Sequence, residues 1–77
     1  MKNNIRSIVE IFKTNVQDDI AADSCILALS YHFPHIRFNF DLEDCDRILR
    51  AEGYHIDIDK IITILKSMHI HCCMFTD

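Results

Sequence analysis

The sequence predicts an α+β fold of four strands and two helices, and three observations carry that expectation. Short runs of alternating, β-branched or aromatic residues occur at four places, and apolar residues recur at helical spacing at two. The six segments fall in the order strand, helix, strand, strand, helix, strand. The halves also rhyme, since ILALSYHFPHI at 26–36 stands beside IITILKSMHI at 61–70. Right-handed crossovers in two such halves set strands one and three side by side at the sheet centre. The expected architecture is ferredoxin-like, βαββαβ, a four-stranded antiparallel sheet with two helices on one face.

Each element has its own signal. Residues 7–14 alternate loosely and read as strand one. Asn15 is placed to cap the first helix, and Asp18 and Asp19 suit the positive end of its dipole. Ala22, Cys25, Ile26, Leu29 and Phe33 form that helix's apolar stripe, and Pro34 stops it. Ile36, Phe38 and Phe40 alternate with Arg37, Asn39 and Asp41 as strand two. The acidic run 41–44 makes a turn. Strand three is expected from about Cys45 to Glu52, ended by Gly53 with a positive φ. Asp57 caps the second helix, with Ile56 stapled on Ile61. Ile58, Ile61, Ile62, Leu65 and Met68 are its buried stripe, and Ile70 to Phe75 form strand four.

Composition narrows the function. A chain of 77 residues holds one domain, 1–77, with a core over about 7–76. It is 49% hydrophobic with one Gly and one Pro, which excludes disordered and low-complexity classes. Eight basic against twelve acidic side chains give a net charge of −4. No basic stripe is available for nucleic acid or for a membrane surface, and no apolar run approaches the ~20 residues of a membrane span. The polar start, Met1 to Arg6, does not read as a signal peptide. The expectation is a cytoplasmic protein with reduced thiols.

Length, the two βαβ halves and the sheet pattern over about Ile8 to Phe75 resemble the heavy-metal-associated family of copper chaperones and metal-pump modules. That family binds Cu(I) or similar soft ions through Cys-x-x-Cys in the loop between strand one and helix one, at a helix N-terminus that favours thiolates. The equivalent stretch here, Thr14-Asn15-Val16-Gln17-Asp18-Asp19, holds no thiol, imidazole or thioether. The resemblance therefore implies the fold and a shared descent, while the metal-transfer activity does not carry over.

The remaining thiols and imidazoles offer one candidate metal site. In the run His69-Ile70-His71-Cys72-Cys73-Met74, strand alternation puts His69, His71 and Cys73 on one face, a donor set suited to Zn or Cu. Residues two apart on a strand lie ~6.6–6.8 Å apart, so a further ligand from another strand, water or a second protomer is required. Cys25 reads as a core residue. Cys45 beside Asp44 and Asp46 is expected to be unreactive, and the acidic run lacks the spacing of a Ca²⁺ loop. His32, His35 and His55 fall at element ends, facing water. One glycine cannot build a phosphate loop, and so small a domain has little interior for a cleft of ~300 Å³. No enzyme is expected, and no cofactor beyond that Zn or Cu.

The open sheet face is the more informative feature. If Val9 and Ile11 face the helices, then Phe12 faces out, joined by Ile48 and Phe75 on neighbouring strands. These three form an expected apolar patch with a polar rim, of the kind that marks an interface. The function expected is a non-catalytic interaction module that forms a homodimer or docks a protein partner through this face, with soft-metal binding as the alternative.

Overall fold

The computed structural model describes residues 6–76. Six elements follow the expected order: β1 (Ile8–Thr14), α1 (Asp19–His32), β2 (Arg37–Asp41), β3 (Ile48–Gly53), α2 (Ile58–Ser67) and β4 (Cys72–Met74). The sheet runs β2-β3-β1-β4 with every neighbouring pair antiparallel. This is the ferredoxin-like arrangement, with both helices on one face.

The helices begin and end where local chemistry dictates. Asp18, not Asn15, caps α1: its carboxylate accepts from the Ala21 N–H at 2.9 Å. Asn15 lies too far upstream to reach the first turn. Its side-chain oxygen accepts from the His71 N–H at 2.9 Å, tying the end of β1 to the start of β4. Asp57 caps α2 as expected, accepting from the Lys60 N–H at 3.1 Å. The α1 helix stops at Phe33, whose N–H bonds to the Leu29 carbonyl, directly before Pro34.

Two boundaries and one backbone conformation differ from expectation. β3 starts at Ile48 because residues 42–47 fold on themselves. Asp44 Oδ1 accepts from the Asp46 N–H at 2.8 Å, and Arg47 turns the chain with a φ of 48°. Gly53 does not have a positive φ. Its lack of a side chain leaves room for Ile36, whose Cγ1 would lie 3.1 Å from an added Cβ. β4 is three residues long, since the α2 exit consumes residues 68–71.

The core lies between sheet and helices. Phe12, Val16, Leu29, Leu49, Ile61 and Leu65 are its fully buried large side chains, and Cys25 and Cys72 fill the gaps between them. At roughly 1.5–3 kcal/mol for each such apolar side chain, this set is the main source of stability.

Candidate functional site

Antiparallel pairing fixes which side chains share a face, because directly opposed residues point the same way. Phe12 opposes Leu49, which opposes Phe40, and Phe12 also opposes Met74. That row faces the helices. Phe12 is therefore completely buried rather than part of the open face. The expected register is off by one residue, and it turns all of β1 over.

The open face carries Val9, Ile11 and Lys13 from β1, with Arg50 and Glu52 opposite on β3 and Arg37 and Asn39 beyond on β2. Ile48 does belong to this face, opposite Asp41 and outside the helix-side core cluster, but its neighbours cover it to 8% exposure. Phe75 is 37% exposed and follows β4, its N–H bonded to the Ile11 carbonyl at 2.9 Å. The Lys13 ammonium stands 5.5 Å from the centre of the Phe75 ring, within cation–π range. An apolar patch is thus present, formed by Val9, Ile11 and Phe75. Val9 and Ile11 were missed because β1 is apolar on both sides, Ile8 and Phe12 against Val9 and Ile11, so its alternation has a period but no sign.

The face is also charged unlike the rest of the chain. Lys13, Arg37 and Arg50 share it with two acidic residues, Asp41 and Glu52, whereas the whole chain is −4.

The expected ligand strand divides. His69 is not on a strand at all. Its φ is 65°, its N–H bonds to the Lys66 carbonyl, and the Ile70 N–H bonds to the Leu65 carbonyl. Those two bonds make a Schellman cap in which His69 holds the left-handed position. His71 and Cys73 are exposed, and strand alternation puts them on one face, Cys73 opposite Lys13. Among the described residues, only Asp44, Cys45 and Asp46 bring three donor atoms within 4.8 Å of one another, and His69, His71 and Cys73 do not. The acidic trio occupies an exposed turn whose Asp44 carboxylate is already held by the Asp46 amide.

The loop that would carry metal in the resembled family is packed shut. Val16 is fully buried. The Thr14 hydroxyl donates to the Arg47 carbonyl at 2.6 Å and accepts from the Val16 N–H at 3.2 Å. The Arg47 guanidinium donates to the Leu42 carbonyl at 3.0 Å and to the Gln17 carbonyl at 3.4 Å, clamping this loop to the β2–β3 loop.

All four cysteines are free. Burial pushes the Cys25 thiol up, and pushes Cys72 up to about 12, with the neighbouring Cys73 and Cys25 adding to the effect. Neither buried thiol is a nucleophile near neutral pH. The surface, rather than the interior, carries open grooves, two of them of about 300 and 430 Å³. The first gathers His32, His35, His55 and Tyr54 around Phe33 and Pro34. The second lies between α1 and β2 and is rimmed by Asp19, Asp23, Asp41 and Glu43.

Fold and surface together define a small ferredoxin-like α+β domain with one open sheet face that carries apolar and charged side chains of both signs. No protein-family profile, curated protein or solved structure matches the chain. Among the described residues, no helix is long and apolar enough to cross a membrane.

Proposed function

We propose that this protein is a non-catalytic, cytoplasmic binding module whose open sheet face docks an acidic protein segment anchored by an apolar side chain. The observation that carries the reading is the juxtaposition of Val9, Ile11 and Phe75 with Lys13, Arg37 and Arg50 on one face of a chain that is otherwise acidic. An apolar centre with a charged rim is the anatomy of a protein interface, and the sign of the rim selects the partner. Four free thiols fit a reducing compartment. The soft-metal alternative retains His71 and Cys73 but has lost His69 to the helix cap.

A random-peptide display library selected on the wild-type domain, and counter-selected on Ile11→Asp, tests the proposal. Enriched peptides should be acidic, carry an aromatic or long aliphatic residue, and bind the Ile11→Asp variant at least tenfold more weakly. Enrichment of basic peptides, or of peptides that bind both proteins equally, overturns it.

A further inference from the structure

Helix α1 breaks the rule that α2 obeys. On α2 the buried Ile61 and Leu65 stand opposite Asp59, Lys60, Thr63, Lys66 and Ser67, the ordinary division of an amphipathic helix. On α1 the buried Ala22, Cys25 and Leu29 stand opposite Ile20, Leu27 and Tyr31, which are 80%, 76% and 84% exposed. Ile20, Ser24, Leu27 and Tyr31 are spaced four, three and four residues apart, the seam spacing of a coiled coil. Single exposed apolar residues carry no message, but three on one line of one helix, with only Ser24 between them, form a row that a partner helix can cover.

We propose that this seam is the interface of a homodimer, in which α1 of one copy packs antiparallel against α1 of a second copy. The spacing four, three, four reads the same from both ends. A two-fold axis between residues 25 and 26 therefore sets Ile20 against Tyr31 of the other copy, and the small Ser24 against Leu27. The flanks match under the same axis. Ala21 and Ala28 lie along one side and allow close approach, while Asp23 and Ser30 lie along the other, a carboxylate beside a hydroxyl donor.

Charge selects the antiparallel orientation. Asp18, Asp19 and Asp23 crowd the N-terminal end of α1, and a parallel pair would bring six carboxylates and two like dipole ends together. The antiparallel pair sets that acidic end beside the C-terminal end of the other helix, which carries His32. A seam over residues 20–31 is about 17 Å long, and an interface of that size is below the standard class. The dimer should dissociate with a Kd on the order of tens of micromolar.

Sedimentation equilibrium of the full, reduced chain, from about 1 to 300 µM, tests the proposal. A monomer–dimer equilibrium is expected. Leu27→Glu and, independently, Ile20→Lys should each weaken it at least tenfold with an unchanged circular dichroism spectrum, since both positions are exposed. Ser30→Lys should tighten it several-fold, because each new lysine faces Asp23 of the other copy, and adding Asp23→Asn should remove the gain. A chain that stays monomeric throughout, or a dimer indifferent to Leu27→Glu and lost with Ile11→Asp, overturns the proposal. So does a dimer that Ser30→Lys leaves unchanged or weakens, because only the antiparallel register brings residues 23 and 30 together. Leu27→Glu should keep its affinity for peptides selected on the sheet face, so failure of either surface is seen separately.

Discussion

Single residues in this protein do work that their types do not announce. His69 was legible as an imidazole but not as a helix cap, because only the two bonds that close α2 show the left-handed φ of 65°. A non-glycine residue there carries a steric cost that glycine lacks, so His69→Gly should raise stability by about 1 kcal/mol in urea denaturation. A loss of stability would mean that the imidazole itself holds the exit in place. Thr14 is a second case, read from the sequence only as the end of a strand. Its hydroxyl joins the Arg47 carbonyl to the Val16 N–H inside the molecule, and Thr14→Val strands both groups. The expected cost is about 1–3 kcal/mol, against a near-neutral change if water replaces the hydroxyl. Cys72 ties stability to pH. Its thiol rises from 9.0 to about 12 on folding, so the folded state holds a proton that the unfolded chain releases above pH 9. The contribution is complete below pH 9 and is lost as the pH climbs toward 12. Between pH 8 and 10, Cys72→Ala should therefore lose about 1.4 kcal/mol less stability than wild type, and equal losses would place the thiol in contact with water.

The elements were legible in proportion to how one-sided they are. Strand β2, with Phe38 and Phe40 against Arg37, Asn39 and Asp41, has a clear alternation, and so has the α2 stripe; both stand where the sequence put them. Strand β1 has apolar residues on both sides, so nothing in its own pattern chose the inner one. That choice is made by long-range pairing with Leu49 and by burial of Phe12 and Thr14 next to the helices. The consequence is measurable. Phe12→Ala should cost about 3–5 kcal/mol by emptying the centre of the core, whereas Ile11→Ala on the open face should cost far less. Comparable losses at the two positions would mean that β1 presents its other side to the helices. Helix α1 shows the same limit from the opposite direction. The stripe of Ala22, Cys25, Ile26, Leu29 and Phe33 accounts for the side of α1 that meets the sheet and for nothing else. The signal of a second stripe at Ile20, Leu27 and Tyr31 is equally plain in the residues, and appears once the far side of the helix is read as well.

At the scale of the whole molecule the two proposed surfaces are separated by the sheet and by charge. The docking face holds three of the chain's eight cations and two of its twelve carboxylates, while α1 begins with an acidic end on the opposite side. Salt must act on the two surfaces in opposite directions. Docking of an acidic segment draws on Lys13, Arg37 and Arg50, so raising the salt from about 0.05 to 0.5 M screens the attraction and should weaken selected peptides several-fold. Dimerisation through α1 joins two chains of charge −4 over an apolar seam. The same salt screens their repulsion and leaves apolar burial in place, so the dimer should tighten by a few-fold. Titrations at both salt concentrations, by fluorescence anisotropy for the peptides and sedimentation for the dimer, give the two signs independently. Weakening of both would place the dimer on the charged sheet face, and tightening of both would mean that apolar contacts alone hold the peptide and that the basic rim of the sheet selects nothing.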